Sequence, residues 1–115
     1  MVKICYDPEG DLLEVQFAQS RKARRGIGLT DQLTLFCDED LQVPLGFTAT
    51  AYTRLLACPK LPLTELLEAP REIQQKVRHL LQHPLLTHFI RLENDIIELN
   101  DLRMSELTGA SPSSL

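Results

Sequence analysis

Asp7, Glu9 and Asp11 alternate in the order that opens a calcium loop. Such a loop needs glycine at its sixth position and a bidentate glutamate at its end. Gly10 comes too early for that, and an alternating apolar stretch from Leu12 begins where ligands should continue. The acids read better as turn-formers. Pro8 presets φ, Gly10 accepts positive φ, and short carboxylates bond their own backbone. Asp38-Glu39-Asp40 reads the same way. A cation site shared by the two turns would need both at one end of a sheet, as the first and third connections of an up-and-down meander are.

Arg21-Lys22-Ala23-Arg24-Arg25 is the single basic cluster. Four cations in an exposed loop can meet phosphates or an acidic partner. No aromatic interleaves them, so base stacking is not indicated. A solvated loop is the plain reading, and a partner- or phosphate-binding loop of Arg21, Lys22, Arg24 and Arg25 is the functional one. His79 and His83 have the four-residue spacing that chelates a metal from one helix face. On a helical wheel both lie opposite the Ile73/Val77/Leu80 stripe. Lys76 between them and Glu72 would repel a cation, and Glu72–Lys76 reads as an i,i+4 ion pair. His88 lies beyond Pro84.

Cys5, Cys37 and Cys58 are odd in number and form no CxxC pair, so reduced cytoplasmic thiols packing as small hydrophobes are expected. Cys5 and Cys37 are candidate strand neighbours. No nucleophile elbow, phosphate loop or dinucleotide fingerprint is present. No catalytic residue, metal ligand or cofactor is assigned.

The elements that carry these residues change character midway. Residues 1–56 read as an antiparallel four-strand β-meander. Its strands are about Val2–Tyr6, Leu12–Ala18, Ile27–Cys37 and Val43–Tyr52, the last three with period-2 alternation. Asp31-Gln32 marks a bulge or bend in the third. Pro44 belongs at a strand start or an unpaired edge. Residues 57–62 form a stiff connector in which Pro59 and Pro62 exclude regular structure. Residues 63–108 complete the same domain. Thr64 caps a short turn through Glu68, and an amphipathic helix spans about 70–83, its stripe of Ile73, Val77, Leu80 and Leu81 covering the sheet. Residues 85–102 fit either a second hairpin about Asn94-Asp95 or more helix, with the hairpin favoured. Residues 109–115 form a disordered tail. The fold class is α+β: a meander packed against C-terminal helices.

The bulk numbers fit one globular domain. The chain has 115 residues, 43% hydrophobic and 24% charged, and a formal charge of −4 shared evenly between its halves. That balance disfavours a dedicated nucleic-acid binder. No apolar run is long enough to span a bilayer.

Tyr6-Asp7-Pro8-Glu9-Gly10-Asp11-Leu12-Leu13-Glu14-Val15 resembles the start of the bacterial family catalogued as domain of unknown function 2283. Tyr6, Asp7, Asp11, Leu13 and Val15 match its opening. Asp38-Glu39-Asp40 matches its acidic turn, and Leu45-Gly46-Phe47 its last strand. The resemblance covers about residues 3–52 and implies a small antiparallel meander. Some family members are encoded beside toxin-like partners and are suspected antitoxins; the family brings no catalytic residues. Together these features lead us to expect a non-catalytic protein-interaction or regulatory module with a protein partner, a second copy of itself among the candidates. The alternative is an antitoxin-like regulator that binds a small toxin or DNA.

Overall fold

The computed structural model describes residues 2–17 and 24–100. β1 (Lys3–Asp7) and β2 (Leu12–Gln16) form the expected hairpin. Asp7 Oδ1 accepts the Glu9 amide at 3.1 Å, and Asp11 takes a φ of 50° to complete the reversal. That is turn chemistry, as the residue types require.

The segment read as one strand from Ile27 to Cys37 is two. β3 (Arg25–Gly28) and β4 (Leu33–Cys37) pair antiparallel. Thr30, 3% exposed, causes the break. Its hydroxyl accepts the Gln32 and Leu33 amides at 3.0 and 3.1 Å, an alternative to ladder bonding open to short hydroxylated side chains. Asp31-Gln32, expected at a bulge or bend, is therefore the tip of a full hairpin. β5 (Pro44–Ala49) opens on its proline, as a strand can. It stops short of Tyr52, which begins α1 (Tyr52–Ala57) instead.

The four-strand meander is thus corrected to a five-strand antiparallel sheet in the order β1-β2-β5-β4-β3. β5 lies in the middle, between β2 and β4. Period-2 alternation is satisfied by any order of neighbours, so it does not encode adjacency. Central placement buries Phe47 and Ala49 completely. Gly46 allows β2 to close in, since a Cβ there would stand 2.2 Å from the Val15 carbonyl oxygen.

The Pro-bearing connector is also corrected. It contributes β6 (Lys60–Pro62), an edge strand, where a missing N–H is tolerated. A 3-10 turn (Leu66–Glu68) and α2 (Arg71–Leu80) follow. Val77, Leu80 and Leu81 are buried and Ile73 packs against them, as the stripe requires. The helix stops before residue 83, because His83 precedes a proline and is extended, with φ −64° and ψ 137°. His83 Nδ1 then accepts the Leu85 amide at 3.2 Å and caps the short α3 (Pro84–Thr87). β7 (Ile90–Glu93) and β8 (Ile96–Leu99) form the favoured second hairpin, turning through Asn94 at φ 56°. They join β6 in a three-strand sheet, order β6-β8-β7.

One continuous core unites the parts. Phe89, from the end of α3, reaches Phe17 and Phe47 on the large sheet, with ring centroids 5.8 Å from each. Among the described residues, the second half therefore packs on one face of the five-strand sheet, while the side chains on the other are exposed or half-buried. The longest helix among the described residues has ten residues, and none is long and apolar enough to cross a membrane. The tail at 109–115 lies outside the described residues.

Candidate functional site

Residues directly opposite in an antiparallel ladder share a face. The uncovered face can therefore be read from the register. One row across it runs Lys3, Gln16, Gly46, Phe36, Gly26. The next runs Cys5, Glu14, Thr48, Thr34, Gly28. Phe36 stands between two glycines and is half-buried. A Cβ on Gly26 would lie 3.1 Å from its ring, so the bare backbone is what lets the ring approach β3. Above the ring sits Arg24, its guanidinium carbon 4.5 Å from the centroid, a cation–π geometry.

This places half of the basic cluster. Arg21 and Lys22 lie outside the described residues. Arg24 and Arg25 are both exposed, but strand alternation divides them. Arg24 lies on the open face with Phe36, and Arg25 pairs with Cys37 of the covered face. An aromatic does accompany the basic run; it comes from β4 rather than from the run itself. The signal in the sequence is Phe36 at an even position of an otherwise odd-numbered apolar row; its neighbours Gly26 and Gly46 are set by the strand order. Arg24, Gln16 and Lys3 make that row free of acids, while Glu14 and the Glu65 side chain, which reaches over Gly28, border the second row.

The acidic turns do separate work at opposite ends of the sheet. The β1–β2 turn lies beside the end of β5, and the β4–β5 turn lies at its start. A joint cation site between them is therefore excluded by the strand order. Asp38 Oδ1 accepts the Gln42 and Val43 amides at 2.7 and 2.9 Å. Asp11 does more. Its carboxylate accepts the Tyr6 hydroxyl at 2.6 Å, the Thr53 amide at 3.1 Å and the Thr53 hydroxyl at 2.6 Å, and its carbonyl accepts the Tyr52 amide at 3.0 Å. It serves as a remote cap for α1. The Thr53 hydroxyl, then the Tyr6 phenol, hold the Asp11 carboxyl below its ordinary range. The same bond to Asp11 raises the Tyr6 phenol.

His79 is exposed and lines a shallow cleft of about 470 Å³ with Asp40, Leu41, Gln42, Gln75 and Lys76. Lys76 pairs with Glu72 at 3.4 Å, as the spacing implied. His83 has left the helix to cap α3, so the two imidazoles do not share a helix face. Among the described residues no three metal-ligating side chains gather. Cys5 and Cys37 are not neighbours: Cys5, on β1, faces Glu14 of β2, and β2 and β5 lie between β1 and β4. Burial, then Asp38, pushes the Cys37 thiol up to about 11, which leaves it inert at neutral pH. Cys5 and Cys58 are exposed.

No family model, no curated protein and no solved structure matches this chain.

Proposed function

We propose that the chain is a small non-catalytic protein-interaction or regulatory module whose working surface is the open face of the five-strand sheet at Arg24 and Phe36. The observation that carries this is the Arg24 guanidinium stacked on an aromatic ring that lies between two glycines. Stacking on a ring that rests against bare backbone pre-orients the guanidinium, whose hydrogen-bond fork matches a carboxylate. The occupant suited to that pairing is an acidic segment of a partner protein with an apolar side chain beside its carboxylates. Gln16, in the same row, would extend the contact.

A fluorescently labelled peptide containing Glu, Asp and one Leu is the probe, titrated at low salt and followed by anisotropy. Binding should weaken about tenfold or more with Arg24→Glu and with Phe36→Ala, and should fall as salt rises. Absence of binding at low salt, or binding indifferent to both substitutions, rejects this surface.

A second reading is an antitoxin-like regulator. Its support is the resemblance of residues 3–52 to the family described above, and the run of cations that ends at Arg24 and Arg25. It calls for DNA or a small toxin as ligand. A labelled duplex in the same titration separates the two readings: preference for the duplex, with a steep salt dependence, selects the regulator.

A further inference from the structure

We propose that the free edge of β1 is the interface of a symmetric homodimer, in which two copies of Lys3-Ile4-Cys5-Tyr6-Asp7 pair antiparallel about Cys5 and join two five-strand sheets into one of ten strands. This extends the interaction-module reading by naming one partner, a second copy, and it uses the edge of the sheet opposite Arg24.

The described residues offer four sheet edges: β1, β3, β6 and β7. β6 has three residues, ends on Pro62 and follows Pro59, so it is a poor template. β3 has four, with Glu65 lying over Gly28 and the Leu29 carbonyl just beyond it taken by the Leu66 amide. β7 also has four. β1 is the longest, with five residues and β2 as its sole strand neighbour. An unpaired strand edge is a template for another strand, and charges on it usually prevent that.

On β1 the charges favour it for one partner. Lys3 and Asp7 stand at equal distances from Cys5, on the same face of the strand. In the antiparallel register centred on Cys5, Lys3 of each copy stands opposite Asp7 of the other, giving two ion pairs on the open face. Ile4 stands opposite Tyr6 twice on the covered face, continuous with the core that Ile4 belongs to and Tyr6 packs against. Every position meets a complementary one. A two-residue shift sets Lys3 or Asp7 against Cys5 and loses both ion pairs. A one-residue slip turns the apolar residues to the polar face. The strand is therefore self-complementary in one register, which is the condition for a closed two-fold interface.

The register makes Cys5 a reporter. Opposed residues have Cα atoms about 4.5 or 5.5 Å apart, depending on the hydrogen-bonding pattern, and a disulfide spans about 4.4–6.8 Å. The two exposed Cys5 thiols would meet across the axis.

The test uses the full chain. Sedimentation should give a dimer, twice the chain's 13.0 kDa. Diamide, which takes up the two thiol hydrogens as a disulfide forms, should yield a covalent dimer in the wild type and in Cys58→Ser but not in Cys5→Ser. Lys3→Asp turns two attractive pairs into two repulsive ones and should weaken the dimer at least about tenfold. Lys3→Asp with Asp7→Lys should restore it. Because Asp7 also bonds the Glu9 amide, Cys5→Arg serves as an independent variant; it sets two like charges face to face and should give a monomer with unchanged circular dichroism. A wild-type monomer at about 100 µM, cross-linking that depends on Cys58, or a dimer indifferent to Lys3→Asp and Cys5→Arg overturns the proposal. A monomer leaves the Arg24 surface to stand or fall by its own peptide titration.

Discussion

Phe89→Ala tests whether the two sheets are one cooperative unit. The ring is 4% exposed and sits 5.8 Å from both Phe17 and Phe47. Removing a buried phenylalanine ring costs about 3–5 kcal/mol, counting the cavity left behind. A domain of this length has roughly 6–17 kcal/mol to lose. With a urea slope of about 1.5 kcal/mol per molar, the midpoint should fall by roughly 2–3 M while the slope holds. Phe89→Leu, which keeps most of the volume, should cost only about 1–1.5 kcal/mol. The chain has no Trp, so its two tyrosines, Tyr6 and Tyr52, supply the fluorescence. Their rings lie 5.7 Å apart, between β1 and α1, and report the first half alone, whereas far-UV circular dichroism reports both halves. The two probes should move together. Tyrosine fluorescence that keeps the wild-type midpoint while circular dichroism loses an early phase would refute the single core. So would a midpoint shift under about 0.5 M.

Other perturbations read other parts of the fold. Gly46→Ala drives a Cβ against the Val15 carbonyl and should cost at least about 1–3 kcal/mol, seen as a lowered Tm. Asp38→Ala removes the acceptor for two loop amides and should cost about 1–2 kcal/mol by the same measurement. The Asp11 carboxyl has a lowered folded pKa, so its stabilisation is complete above the unfolded carboxylate pKa and is lost as pH falls through the folded one. The Tm gap between wild type and Asp11→Asn should therefore be widest at neutral pH and narrow below about pH 4; a gap independent of pH would count against the ionised cap. In the native protein, a maleimide should label Cys5 and Cys58 quickly and Cys37 only under denaturant, as mass spectrometry would show.

What could be read from the residues was what they do locally. The β1–β2 turn, the apolar stripe of α2 and the Asn94 hairpin are each decided by neighbours a few positions apart. The sheet order was not, because alternation in β5 is indifferent to which strands flank it. α1 is not legible in the sequence because Ala49, Ala51 and Tyr52 continue the period-2 pattern, and the group that starts the helix is Asp11, remote in the chain. β6 was hidden by prolines that forbid an interior strand and permit an edge. At the candidate site, the basic run was visible and its aromatic platform was not. Phe36 meets Arg24 only once β3 folds back on β4, and Thr30, the residue that folds it, reads as an ordinary strand threonine.

The cap on α1 has a kinetic consequence. A six-residue helix cannot persist alone in water, because nucleation is too costly for so few bonds. Its first amides find their acceptor on a hairpin tip made much earlier in synthesis, and β2 likewise waits for β5. The N-terminal hairpin must therefore be held open to solvent until Thr53 emerges, and the β3–β4–β5 unit then closes both contacts together. Such delayed, long-range closure slows folding and leaves strand edges unpaired meanwhile. Asp11 would then act as a latch that registers arrival of the middle of the chain, and its loss should slow refolding as well as lower stability.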